Sequence, residues 1–135
     1  MKKTWVATAC TAISILLMFT PSVPMVFGLS GGKTKIVYAS YFSSLPIGYA
    51  VFMPAVSALL ACVVLVLLAN ALREKREAPG FASFCLSSSI LGHLLWWAFD
   101  FFRTIHPIGF VIVALHGCAL LFLHWEAWGK RFVKQ

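Results

Sequence analysis

The chain has 135 residues, of which 61% are apolar and 11% charged, with eleven basic residues, four acidic ones and a formal net charge of +7. A soluble domain of this size carries roughly a quarter charged residues, and mean hydropathy here is +0.90. These values exclude an ordinary water-soluble globule: most of the surface must meet lipid.

Four apolar runs are each long enough to cross a bilayer core about 30 Å thick, over residues 5–29, 46–72, 81–102 and 107–127. None shows the alternating pattern of a barrel strand, so the expected fold is an all-α integral membrane domain, one compact bundle of four transmembrane helices. An outer loop covers 30–45 and a cytoplasmic loop 73–80.

The first run begins "MKKTWVATACTAISILLMF", a basic start and an apolar stretch that also suits a secretory signal. It continues through "PSVPMVFGL" without a clear A-x-A site, and the expectation is an uncleaved first helix, bent or ended near Pro21 and Pro24. Thr4, Thr8 and Thr11 form a stripe on it, matched on the second helix by Ser57, Ala58, Ala61 and Cys62; small faces of this kind let helices approach and bond across hydroxyls. Pro54 is expected to kink the second helix one turn in.

The segment 30–45 contains "KIVYASYF", rich in β-branched and aromatic residues and suited to a short strand or an interfacial stretch. Tyr38, Tyr41 and Phe42 on it are the candidates for contact with a partner. At the other side, "REKREAP" is a solvated charge run, and Pro79 suits the first turn of the third helix.

Orientation follows from the cations. Lys2, Lys3, Arg73, Lys75, Arg76, Lys130, Arg131 and Lys134 fall on one side of an alternating four-helix thread, and Lys33, Lys35 and Arg103 on the other. Eight against three puts both termini in the cytoplasm of a bacterium-like cell, with the protein in its plasma (inner) membrane. The net charge is then explained by this bias and by attraction to anionic lipid, with no nucleic-acid partner implied.

The third and fourth runs carry the informative residues. They are joined by a few residues around Thr104, a candidate N-cap, with Pro107 in the first turn that follows. Their antiparallel pairing puts Gly92 level with Gly117, drawing the helices together, and His93 level with His116 near the bilayer midplane. Cys85, Ser89, His93, Trp96, Asp100 and Arg103 share one stripe, which cannot comfortably face lipid.

Three uses of the histidine pair, as metal ligands, as haem ligands or in a proton pathway, compete with a purely structural reading, of which the Asp100–Arg103 pair is part. Asp100 and Arg103 pair as a clasp for the hairpin of helices. A line from Asp100 through His93 and His116 to His124 and Glu126, with Arg103 nearby, is a candidate proton or ion pathway. Two histidines also suit the axial ligation of a b-type haem, although close helices leave little room for a macrocycle. No metal site is expected, since no third and fourth ligand lies at the same depth.

Cys10, Cys62, Cys85 and Cys118 are isolated, one per helix, with no C-x-x-C, which leaves thiol oxidoreductase chemistry unsupported. The outer loop lacks the cysteine pair and Trp-rich motif of claudin-like tetraspans, and no first-helix glutamate points to a small multidrug exporter. No phosphate-binding, zinc-protease or hydrolase motif occurs. The expectation is therefore a non-enzymatic accessory or assembly subunit without a cofactor, whose partners are the lipid bilayer and another membrane protein or a second copy. The alternative is an oligomeric proton-coupled transporter or cation channel built on His93 and His116, and third is a haem-binding electron-transfer subunit.

Overall fold

A computed structural model describes residues 2–44, 52–99 and 106–132, with side chains given from Lys3 to Ala98 and up to His124 within these stretches. In chain order the elements are α1 (Lys2–Met18), β1 (Val23–Gly28), β2 (Thr34–Ala39), α2 (Met53–Arg73), α3 (Gly80–Phe99) and α4 (Pro107–Phe132). The described residues are thus mostly helical. Three segments, Met53–Arg73, Gly80–Ala98 and Pro107–His124, are long and apolar enough to cross a membrane. At 17 residues α1 is shorter, about 25 Å against a hydrocarbon core of about 30 Å.

The first apolar run is not one helix to residue 29, and the fold is not wholly α-helical. Thr20 and Pro21 stop α1: proline disfavours helical backbone before it and supplies no N–H of its own. The last amides fold back on the final turn, Phe19 N–H to Leu16 O and Thr20 N–H to Leu17 O. The next residues, "VPMVFG", pair antiparallel with "TKIVYA" in a two-stranded sheet, Val23 opposite Ala39 through to Gly28 opposite Thr34. Gly31 and Gly32, at φ +85° and +73°, make the turn, which Leu29 N–H to Lys33 O closes at 2.7 Å. The strand expected around "KIVYA" is present, and its partner comes from a segment expected to be helical.

Two further expectations change. α2 begins at Met53, so Pro54 sits in its first turn, where a missing N–H is harmless, and makes no mid-helix kink; residues 46–51 lie outside the described residues. α4 begins at Pro107 as expected, but its cap is His106, whose Nδ1 accepts from Ile108 N–H at 3.3 Å. Thr104 lies outside the described residues.

The helices close a ring in which α1 packs on α2 and α4, and α3 on α2 and α4. Two apolar clusters fill it. At the hairpin end Met18, Val23, Met25, Ala39 and Tyr41 meet Ala58, Ala61 and Ile112. At the opposite end Ala7 meets Val64, Leu68, Ala82, Cys85, Leu86 and Ala119. Late residues of α1 thus join early residues of α2 and α4, which is the alternation of an up-and-down bundle. On α1 the buried face is Thr4, Ala7, Thr11, Ser14 and Met18, spaced by three and four. Thr8 and Thr11 bond back to their own helix, Thr8 to Thr4 O and Thr11 to Ala7 O.

Glycine placement also differs from expectation. A Cβ at Gly92 would meet Met53 Sδ at 3.6 Å and Ser57 Oγ at 4.0 Å, so Gly92 faces α2; at Gly117 it would meet nothing within 4 Å. The α3–α4 contact is not drawn together by these two glycines.

Candidate functional site

Between the two apolar clusters lies one polar layer. Ser14, Ser57, Ser89, His93 and His116 are all buried, and they come from all four helices. His93 and His116 do lie at one level: their ring centroids are 6.5 Å apart and the rings nearly perpendicular. The equal-depth pairing read from the sequence therefore holds for the histidines.

The hydrogen bonds assign each ring its tautomer. His93 Nδ1 lies 2.9 Å from the Ser89 carbonyl oxygen, which can only accept, so Nδ1 carries the proton. Nε2 then offers a lone pair, and the Tyr41 hydroxyl donates to it at 3.1 Å. Ser57 Oγ stands 3.3 Å from the same Nδ1. On α4 the order is reversed. The Ser14 hydroxyl donates to Thr11 O at 2.8 Å, leaving its oxygen to accept from His116 Nε2–H at 2.9 Å. His116 Nδ1 is the free lone pair, and the Ser89 hydroxyl donates to it at 3.2 Å.

Ser89 is consequently the pivot, with its carbonyl serving one imidazole and its hydroxyl the other. Helix periodicity puts it one turn from His93, and the stripe continues as Cys85, Ser89, His93 and Trp97. Trp97, not Trp96, is the buried tryptophan, and its ring meets His93 edge-on at 6.0 Å. Among the described side chains no buried polar atom lacks a hydrogen-bond partner.

Tyr41 completes the layer from outside the helices. It was expected to face a partner from the outer loop, but it is 1% exposed and points into the bundle. Its amide donates to Met18 O at 3.0 Å, its ring lies 5.6 Å from His93, and it packs against the surface at Gly109. The turn after β2 aims it inward, and the bundle gains an aromatic plug. Burial pushes its phenol well above the usual tyrosine range, so it remains a donor at any ordinary pH.

The other candidates are dispersed. Tyr38 and Phe42 are exposed; Tyr38 meets the His106 ring edge-on at 5.5 Å and Phe42 stacks on Phe19 at 4.5 Å. His124 is exposed, eight residues or about 12 Å along α4 from His116. Asp100 and Arg103 lie outside the described residues, and the side chain of Glu126 outside the described side chains. Sequence reasoning did not join Ser14 and Tyr41 to the histidines. Ser14 had a signal, three residues after Thr11 on the same face, whereas nothing local marks Tyr41 as inward.

The layer's chemistry is constrained by this bonding. Each imidazole has its one lone pair filled by a hydroxyl proton, so metal or haem ligation would require both to be displaced. Among the described residues no group of three or more His, Cys, Asp or Glu is placed to hold a metal ion. His93 Nδ1–H points at the Ser89 main-chain carbonyl, with the Ser57 hydroxyl beside the same nitrogen. Compared with known protein families, curated proteins and solved structures, the chain matches none.

Proposed function

We propose that this chain is a small non-enzymatic integral membrane protein that serves as an accessory or assembly subunit. The observation that carries this is the closed bonding of the histidine layer. Every nitrogen of His93 and His116 is engaged within one chain, in the arrangement of a structural staple joining four helices and the loop after β2. Polar groups inside a membrane bundle are expensive unless satisfied, and a satisfied set fixes which helices are neighbours.

In this proposal both termini face the cytoplasm, in the plasma membrane of a bacterium-like cell. Lys2, Lys3, Arg73, Lys75 and Arg76 support it from the end away from the hairpin, together with Lys130, Arg131 and Lys134 near the C-terminus, against Lys33 and Lys35 on the hairpin and Arg103 in the sequence between α3 and α4.

Gentle extraction from the native membrane followed by intact mass measurement tests the role. The expected result is the chain in a fixed stoichiometric assembly without a prosthetic group. The second reading, an oligomeric proton or cation conductor, is favoured by the shared level of His93 and His116. It requires pH-driven flux in proteoliposomes between pH 5 and 8 that disappears on replacing both histidines with leucine. Such flux would overturn the accessory role; flux equal to empty vesicles supports it.

A further inference from the structure

The hairpin's two edges are unlike. Leu29 N–H to Lys33 O sets the alternation of the ladder, so residues 23, 25, 27 and 29 bond to 39, 37, 35 and 33, while 24, 26 and 28 on β1 and 34, 36 and 38 on β2 turn their backbone groups outward. On the β1 edge the first outward position is Pro24, which has no N–H to offer. This is how natural sheets blunt an edge. Among the described residues the β2 edge carries Lys35 but no proline, and Thr34, Ile36 and Tyr38 present three N–H and three C=O groups in a row. Among the described residues no backbone hydrogen bond from another element reaches them.

The faces of the hairpin are unlike as well. Val23, Met25 and Ala39 are buried against the ends of the helices, whereas Val26, Ile36 and Tyr38 on the opposite face are exposed. An apolar outward face beside a bare edge is the combination that proteins avoid unless a strand is to be added there.

We infer that β2 pairs antiparallel with β2 of a second copy, making one four-stranded sheet across a twofold axis at Ile36. The sequence of the edge is self-complementary in that register. Ile36 of one copy lies beside Ile36 of the other and Thr34 beside Tyr38, both pairs through outward backbone groups. Lys35 then falls opposite Val37, so no like charges meet; sliding the pairing by two residues to centre on Lys35 would set two lysines face to face. The twofold of an antiparallel pair runs normal to the sheet, so the buried face of each hairpin turns to the same side. Both bundles therefore hang from one face of the joined sheet, as two copies in one membrane require. This deepens the assembly role by naming its partner, and it rests on the membrane placement proposed above; a monomeric hairpin would leave the histidine staple and the accessory role untouched.

Val26 and Ile36 make a matched pair of probes, since they share a face and are 55% and 54% exposed. In the joined sheet the two Ile36 Cα atoms stand about 5.5 Å apart and the two Val26 Cα atoms, three strand spacings away, about 14 Å. Single Ile36→Cys and Val26→Cys chains, with the four native cysteines replaced by alanine, are reconstituted in phosphatidylcholine–phosphatidylglycerol vesicles and treated with a short bifunctional thiol reagent. Expected is at least tenfold more covalent dimer for Ile36→Cys. Equal yields would mean face-to-face stacking or random collision, a Val26→Cys excess would mean pairing through β1, and no dimer from either would mean a monomer or a different partner; each overturns the proposal. As a second measure, Ile36→Lys, which changes only an exposed side chain, should abolish dimer on its own and recover it when co-reconstituted with Ile36→Glu, and failure of that recovery would also contradict the pairing.

Discussion

The histidine layer and the hairpin dispose of their hydrogen bonds in opposite ways. In the layer, two imidazoles, three serines and a tyrosine close every bond inside one subunit, between helices that would otherwise present only interchangeable apolar faces. In the hairpin, among the described residues, only the inner half of each strand's backbone bonding is used, and β2 turns the outward groups of Thr34, Ile36 and Tyr38 to the surroundings. Polar groups of the first kind specify the fold of one chain, and those of the second leave it something to bind.

The contrast can be broken most severely at His93. Its replacement by leucine leaves the buried Tyr41 hydroxyl without an acceptor, and destabilisation of about 1–3 kcal/mol is expected in thermal or denaturant unfolding of the reconstituted protein. Adding Tyr41→Phe to that variant should recover part of the loss, because the orphaned donor goes with it; additive losses would mean that the two groups do not act through their shared bond. At the hairpin the expected effect is smaller and local. Gly31→Ala forces a side chain into left-handed backbone at a cost of about 1 kcal/mol. Amide exchange at Phe27 and Lys35 should quicken by about fivefold, a factor matching that energy, while exchange in α3 stays unchanged. Smallest, and opposite in sign, is Gly117→Ala. With open space at that position the added methyl meets nothing, and helix propensity alone should stabilise the protein by up to about 1 kcal/mol. A loss there would restore the close-approach role expected from the sequence.

The parts of the fold that could be read in advance are those set by period and composition. Three long helices, the short α3–α4 connection and the common level of His93 and His116 follow from apolar runs and residue spacing. The first segment escaped because "PSVPMVFGL" is as apolar as the helix before it; hydropathy cannot separate a buried strand from a continuing helix, and the decisive signal lay in Pro21 and in Gly31–Gly32. At the site, His93 and Ser89 were visible as one stripe and His116 as a residue at the same depth on the next helix. Tyr41 was not, because whether a loop aromatic faces outward or plugs the bundle depends on the path of the hairpin, which no local pattern encodes. Trp97 displaced Trp96 on the buried stripe for a related reason: a spacing of three and a spacing of four both keep a helical face, and packing chose between them.

The most direct test is the protonation of the two imidazoles, since the staple demands one defined tautomer of each. Nitrogen-15 NMR of labelled histidine in lipid vesicles reads this for His93 and His116, with His106 and His124 removed by substitution to leave two resonance sets. The expected spectrum shows neutral rings between pH 6 and 8, His93 protonated at Nδ1 and His116 at Nε2. The reverse tautomers, an imidazolium signal, or exchange between forms would contradict the closed layer and turn attention to the proton-conducting alternative.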